Sequence, residues 1–412
     1  MKIAMVSECA CPLALSRDDG VGGQAVHVAG LSAALARQGH EVTVYTRRHD
    51  PDSPERVIAP QGYAVVHVAA GPAQHLRTGD VFGHTGTFAE SLDARWATDS
   101  PDVAHAYFWM SGLATQLAAR PRAIPTVQTF RTLGLAERRH HVRGENAEAR
   151  LKLEKLVAKN ADWVVATCTD ELLDLIQLGR SRARVSVVPC GVDVDTFTTE
   201  GPVAERSERP RIVTVGKMLP CNGFDTMIEA LPGIPDAEYV IVGGPQGGRL
   251  DDDPEVRRLR ALAARLAVSD RVVFAGALTH ADMPAMLRSA DVVTCTPTYE
   301  SFGLVPLEAM ACGVPVVASA VGGMVDTVVD DVTGRLVMPQ RPRECAEAVT
   351  GVLRDSFLGR SFGLAGRDRA CARYSWDRVA DDTCRVYERI VAASAEHVPV
   401  TRDLGQPTIH SG

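Results

Sequence analysis

Tyr299-Glu-Ser-Phe-Gly-Leu-Val-Pro-Leu-Glu308 lies between two apolar runs, Val292 to Cys295 before it and Val314 to Ala318 after it. Both runs are short and rich in β-branched residues, so they read as strands, and Ala309, Met310 and Ala311 continue the intervening segment as a helix. Strand, loop, helix and strand in succession form the unit of a parallel sheet. Glu300 then stands in the loop at the carboxyl end of a strand, where open α/β sheets bind ligands, and Glu308 stands about two turns into or along the helix. The amides of Ser301 to Val305 lie at the helix N-terminus, where unpaired donors and the dipole favour an anion such as a diphosphate. A plainer reading makes Glu300 a helix cap and Glu308 a solvated helix residue.

The same unit recurs on both sides of this stretch. Lys2 to Val6 reads as a strand, Gly20-Val-Gly-Gly-Gln24 as a glycine loop, and Ala25, Val28, Leu31 and Leu35 as the apolar face of a helix that Gln38-Gly-His40 ends. Further strands are expected at Glu41 to Thr46, Ala64 to Val68, Val103 to His105, Thr126 to Thr129, Trp163 to Thr167 and Val185 to Val188, with helices near 111–119 and 146–159. A charged, turn-rich stretch from Thr198 to Pro210 reads as a connection. The pattern then restarts with strands at Arg211 to Val215, Tyr239 to Val242 and Val272 to Phe274 and helices at Gly223 to Leu231 and 254–267. Two successive parallel sheets with a cleft between them are the expected architecture.

A chain of 412 residues favours two domains, each able to bury its own core. Hydrophobic residues at 45% and charged residues at 23% match a folded chain without disordered tracts. The net charge of −7 and scattered basic residues argue against nucleic-acid binding. No window reaches the roughly 18 apolar residues of a membrane span. The N-terminus arrives at Ser7 and Glu8 too soon for a signal peptide, so a cytoplasmic location is expected. Of ten cysteines, only Cys9 and Cys11 form a close pair and no second pair stands at zinc spacing, so reduced, buried thiols are expected. Asp251-Asp-Asp253 precedes Pro254 and a helix, which favours capping over metal binding.

The Glu-x7-Glu segment, with Phe302-Gly303 and the following Ala309-Met-Ala-Cys-Gly-Val-Pro-Val-Val-Ala318, resembles the family 4 retaining glycosyltransferases of the GT-B fold. The resemblance covers almost the whole chain. Gly20-Val-Gly-Gly-Gln24 matches the glycine loop of the first domain, and Pro189-Cys-Gly-Val-Asp193 the segment before the interdomain connection. Val215-Gly216 and Gly223-Phe-Asp-Thr226 match the start of the second domain, while Val242-Gly-Gly-Pro245 and Val321-Gly-Gly323 also fit. The chain is most similar to the bacterial branch containing the inositol-phosphate N-acetylglucosaminyltransferases of mycothiol synthesis and the sucrose-phosphate synthases.

The resemblance implies an α/β GT-B architecture of two Rossmann-like domains facing a central cleft. Residues 1–195 would bind the acceptor and 210–375 the nucleotide-sugar donor, with a last helix at about 377–393 crossing back and a loose tail after about 397. Glu300 would bind hydroxyls of the donor sugar, Glu308 the ribose, and the amides of Phe302, Gly303, Leu304 and Val305 the sugar and diphosphate. Gly23 would meet the diphosphate and backbone near Gly276 and Ala277 the base, uridine by resemblance. Gln24, His27 and His105 would face the acceptor. A capping Gln and a surface His are equally simple readings of the first two, and an ordinary half-buried His is the favoured reading of His105.

Three positions depart from the family pattern. Where the family has Arg followed shortly by Lys on the diphosphate, this chain has Lys217 and Asn222, which keep one charge and one hydrogen-bond donor. Where the family has a His near the donor sugar, Arg131 stands, a permanent cation that cannot act as a base. Arg131 either replaces the lost charge on the diphosphate, binds an anionic donor or acceptor group, or is a surface residue of a rearranged loop. Arg138, Arg139, His140, His141 and Arg143 offer either an anion site or a solvated charge run.

The resulting reading is a retaining hexosyltransferase that uses a nucleoside diphosphate sugar and a small-molecule acceptor, in specialised, natural-product or thiol metabolism. Glu300, Lys217 and Arg131 are its catalytic candidates. No cofactor or metal is expected, retention proceeds by front-face attack without a protein nucleophile, and a homodimer is left open. A binding-only nucleotide-sugar homologue and a sugar-nucleotide epimerase are the alternatives.

Overall fold

In β1 (Lys2–Val6), Ile3 and Met5 point to one face of the first sheet and Ala4 and Val6 to the other, and all four are buried. A strand covered on both faces belongs to the interior of a parallel α/β sheet. The computed structural model describes residues 1–13, 22–139, 147–245 and 249–396. Gly20, Val21, His140, His141, Arg143 and the tail after 396 lie outside the described residues.

The first sheet continues with β2 (Glu41–Arg47), β3 (Arg56–Ile58), β4 (Ala64–Val68), β5 (Val103–Tyr107), β6 (Thr126–Thr129), β7 (Trp163–Ala166) and β8 (Val185–Val187). Their order is β3-β4-β2-β1-β5-β6-β7-β8, parallel throughout except for β3 against β4. The second sheet contains β9 (Arg211–Val215), β10 (Glu238–Val242), β11 (Val272–Gly276), β12 (Val292–Cys295), β13 (Val316–Ser319) and β14 (Gly334–Val337). It is parallel, in the order β11-β10-β9-β12-β13-β14. Most expected strands fall within a residue or two of these bounds. The strand expected from Val314 begins at Val316 because Pro315 has no N–H to give to the ladder.

Each sheet reverses direction once. From β1 the chain builds outward through β2 and β4 and then returns to place β5 on the other side of β1. In the second sheet, β10 and β11 build outward from β9 before β12 returns to its free side. Crevices therefore open at the carboxyl ends of β1 and β5 and of β9 and β12, the places where such sheets bind ligands.

The helix Trp376–Glu396 crosses from the second sheet to the first, where Val379, Tyr387 and Ile390 share a core with Val28 and Leu31 of the helix Gly22–Arg37. Arg37 and Asp377 bridge the two helices at 2.6 Å. Trp376 makes the crossing possible only because glycine lies on both sides of its indole. A Cβ on Gly30 would come within 2.2 Å of the ring and one on Gly191 within 2.4 Å.

Gly30→Ala is therefore expected to lower unfolding stability by about 1–3 kcal/mol through overpacking. Gly86→Ala, in the exposed first turn of the helix Thr85–Trp96 with no atom near its added methyl, is expected to raise stability by up to about 1 kcal/mol. Urea denaturation of the two variants would show shifts of opposite sign.

Candidate active site

The crevice between β9 and β12 is closed at its base by backbone contacts. Thr298 N–H donates to the Cys221 carbonyl at 2.9 Å, and the Thr296 hydroxyl donates to the Gly223 carbonyl at 2.8 Å. Gly223 has φ +72°, and a Cβ there would stand 1.8 Å from the Thr296 carbonyl oxygen, so glycine is required. Gly243 is equally constrained, because its Cβ would meet the Gly216 carbonyl oxygen at 1.9 Å. Its N–H donates to the Gly276 carbonyl at 2.9 Å, which aligns the ends of β9, β10 and β11 along one rim. Gly276 is half-buried on that rim and Ala277 is exposed.

Glu300 folds back over the start of the helix Leu304–Ala311. Its Oε1 accepts from the Phe302 N–H at 2.9 Å and the Gly303 N–H at 3.4 Å. The capping reading describes Glu300 in this state, and an incoming anion would meet two donors already held by a carboxylate. Glu308 is not a solvated helix residue, since only 2% of it is exposed. It is the fifth residue of the helix, little more than one turn from its start, so Glu300 and Glu308 are closer along the axis than the sequence suggested. Leu304 and Val305 form the half-buried first turn.

On the β9 side, the Asn222 side-chain amide donates to the Lys217 carbonyl at 2.8 Å. Asn222 thus fixes the backbone that carries Lys217, a positioning contact the sequence did not disclose.

The first sheet brings Arg131 to the opposite wall. Arg131 has φ +71°, rare for a residue with a side chain, and strain of this kind persists only where neighbours fix the backbone. Arg150 supplies that restraint by donating to the Thr132 carbonyl at 2.8 Å, while Glu154 accepts from the Gly134 N–H at 2.8 Å. Arg150 is itself held by Glu154 and Glu137, each at 2.7 Å. The Arg131 guanidinium consequently lies 5.9 Å from the centre of the Phe302 ring and 3.7 Å from where a Gly23 Cβ would be. This is a cleft position, which overturns the surface-loop reading.

Cys190 lies within the field of these groups. Burial pushes its thiol up, the backbone contact to Gly191 opposes the rise, and smaller effects follow from the Glu308 and Glu300 carboxylates, which raise it, and from Arg131, which lowers it. His27 Nδ1 stands 3.3 Å from Cys190 Sγ, and its ring stacks on Phe302 with centroids 5.7 Å apart. Burial lowers the His27 pKa to about 4, so the ring is neutral at pH 7.

Three first-domain residues lie deeper than expected. His27 is a buried seam residue, not a surface histidine. Gln24 is buried, and its Nε2 donates to Ser7 Oγ at 3.0 Å inside the domain. His105 is fully buried, with Nδ1 2.7 Å from the Tyr387 hydroxyl of the last helix and Nε2 2.9 Å from Thr129 Oγ1 of β6, so one ring nitrogen anchors the last helix and the other the neighbouring strand, and both are engaged inside the fold. Arg138 is exposed, and Arg139 pairs with Asp170 and Asp174, which matches a solvated, paired run. Asp253 Oδ1 caps the helix Pro254–Arg265, accepting from Glu255 and Val256 at 2.8 and 3.1 Å.

Known proteins share this arrangement. The family description "Glycosyltransferase Family 4" matches residues 21–196, and "Glycosyl transferases group 1" matches residues 196–369. A D-inositol 3-phosphate glycosyltransferase of Xylanimonas cellulosilytica is 35% identical over 405 residues, 94% of this chain and 96% of that one. This chain belongs to the family 4 glycosyltransferases. A second D-inositol 3-phosphate glycosyltransferase, from Mycobacteroides abscessus, is 32% identical to this glycosyltransferase over 95% of its length and 90% of the relative. Among solved structures, sucrose-phosphate synthase from Thermosynechococcus elongatus superimposes with a TM-score of 0.84 at 30% identity, covering 95% of this chain and 100% of that one. Anabaena HepE, solved in complex with UDP, shares the fold with a TM-score of 0.71 at 19% identity, covering 94% and 100%. The two sheets are thus the halves of a GT-B enzyme that transfers a sugar from a nucleotide sugar, and the binding-only and epimerase alternatives are not favoured. Among the described residues, no helix of the glycosyltransferase is long and apolar enough to cross a membrane.

The neutral state of His27 makes a pH prediction. Between pH 6.5 and 4 the unfolded chain binds a proton at this position that the folded chain refuses, so the stability held above pH 6.5 declines as pH falls toward 4. The unfolding free energy of the wild type minus that of His27→Gln is expected to fall by up to about 3 kcal/mol across this window. Urea titrations at stepped pH measure the difference.

Proposed function

We propose that the enzyme moves a hexosyl group from a uridine diphosphate sugar to a small-molecule acceptor with retention at the anomeric carbon. The observation that carries this reading is the convergence of Glu300, Glu308 and the Phe302 and Gly303 amides at the β9–β12 crevice, opposite Arg131 and Gly23. Glu308 serves the ribose hydroxyls, and Glu300 exchanges its two amide donors for hydroxyls of the donor sugar. The released amides and the helix N-terminus then face the diphosphate. Arg131 and Lys217 stabilise negative charge as the bond from the anomeric carbon to the diphosphate breaks, and the acceptor attacks from the face the diphosphate leaves. This scheme uses no protein nucleophile and no metal. UDP in the HepE complex supports uridine as the base.

The acceptor is proposed to differ from the inositol 3-phosphate in the relatives' names. Among the described residues, Arg139 is paired with Asp170 and Asp174 and Arg150 with Glu137 and Glu154, which leaves these two arginines less able to receive a phosphate. Departures at Arg131, Lys217 and Asn222 fit the same specialisation.

Incubation with UDP-glucose or UDP-N-acetylglucosamine and an alcohol, amine and thiol acceptor panel, followed by NMR of the anomeric proton, tests the reaction. Retained configuration is expected, and inversion would remove the front-face scheme. Arg131→Ala is expected to lower kcat by about 100-fold or more, the scale of losing one preorganised charge-stabilising group, with Arg131→Lys recovering part of the rate.

A further inference from the structure

The crevice at the carboxyl ends of β1 and β5 holds a buried carboxylate that the transfer chemistry above does not use. Glu8 follows β1 by one residue and is 2% exposed. Its position is fixed from three elements. Its N–H donates to Ser111 Oγ at 2.9 Å, its carbonyl accepts from the Arg47 N–H at 3.3 Å, and the Thr85 hydroxyl lies 3.3 Å from each carboxylate oxygen. One hydroxyl proton cannot serve both oxygens at once, so the second contact requires a proton on the Glu8 carboxyl itself.

Among the described residues, the Arg47 guanidinium beside Glu8 is directed elsewhere. Arg47 donates to the carbonyls of Arg48, Pro72 and Gln74 at 3.0, 2.7 and 2.6 Å. Among the described residues no salt bridge reaches Glu8 within 4.0 Å. Burial accordingly raises its pKa to about 8, while the Thr85 hydrogen bond and, after it, the Arg47 charge oppose the rise. Glu8 also borders a cavity of about 40 Å³ whose other walls include Cys9, Cys11, Arg47, His49 and His75. A water needs roughly 10–15 Å³ of such space, so the cavity admits one functional group of a ligand and not a whole sugar. Burial also pushes the neighbouring Cys9 thiol up, so it adds no thiolate.

We propose that this cavity receives one end of the acceptor and that Glu8 selects acceptors carrying a protonated amine there. The proposal rests on the transferase reading and deepens it. A buried carboxyl that no cation among the described residues reaches within salt-bridge distance, at a sheet's switch point, is completed by a ligand that brings both positive charge and N–H donors. An ammonium group has three such donors, enough for both carboxylate oxygens. A phosphate placed there would face a carboxylate and disfavour its ionised form.

The test uses the whole chain loaded with UDP and three probes of similar size: glucosamine, glucose and glucose 6-phosphate. Calorimetric titration at pH 7 is expected to show glucosamine bound at least about tenfold more tightly than either other probe. Titrations in buffers of different ionisation enthalpy are expected to show roughly one proton released per glucosamine bound, because the ammonium turns Glu8 into a carboxylate. In Glu8→Gln both the preference and the proton release should disappear, and UDP binding to the same sample reports an intact donor domain. Equal affinities, tightest binding of glucose 6-phosphate, or a preference that survives Glu8→Gln would overturn the proposal while leaving the transferase reading intact. Failure of the wild type to bind UDP would remove both. The wild-type comparison decides the preference even if the variant does not fold.

Discussion

The stack of His27 on Phe302, closed from the side by Trp376 at 5.5 Å, is the contact on which the cleft depends. Phe302 belongs to the loop that carries Glu300, His27 to the first helix of the other sheet, and Trp376 to the start of the helix that crosses between them. Each sheet could bury its own core alone. Their alignment is set by this small aromatic group, by the two glycines that admit the indole, and by the Thr167 hydroxyl at 3.5 Å from the Ser301 carbonyl. Asp326 adds a further tie by accepting from the Thr169 N–H at 2.5 Å.

With that alignment fixed, the electrostatics of the cleft follow. Two carboxylates belong to the second sheet and one guanidinium to the first, and the buried Cys190 thiol feels all three. The carboxylates are partly satisfied within their own loop, as the Glu300 contacts to Phe302 and Gly303 show. Arg131 is held by the backbone it sits on. Its positive φ would relax without Arg150 and Glu154, so a buried ion pair maintains the position of a residue in the cleft. This architecture places cost in positioning and leaves the donor contacts exchangeable.

Much of the fold was legible because parallel strands buried on both faces leave short runs rich in β-branched residues between turn signals. Ala64 to Val68, Thr126 to Thr129, Arg211 to Val215 and Val292 to Cys295 match the observed strands end to end. β3 was missed because Arg56–Ile58 is a short, largely exposed antiparallel edge with no apolar face. The helix Thr85–Trp96 was missed although Phe88, Leu92 and Trp96 recur at a spacing of four, a signal present in the sequence. In the site, Glu300, Glu308 and Arg131 could be picked out by their places in the motifs. Capping by Glu300 was one of the two readings the motif allowed, whereas the anchoring role of His105 and the burial of Glu8 could not be read, because each depends on partners distant in sequence. His105, for example, meets Tyr387 across 282 positions.

The central claim is that the β9–β12 crevice binds a nucleoside diphosphate through Glu308. Thermal unfolding of the wild type and Glu308→Ala with uridine, guanosine and adenosine diphosphates tests it directly. The account predicts that UDP raises the melting temperature of the wild type by a few degrees or more, beyond the other two, and that the shift vanishes in Glu308→Ala. An unchanged melting temperature with all three nucleotides, or a full UDP shift in Glu308→Ala, would contradict it.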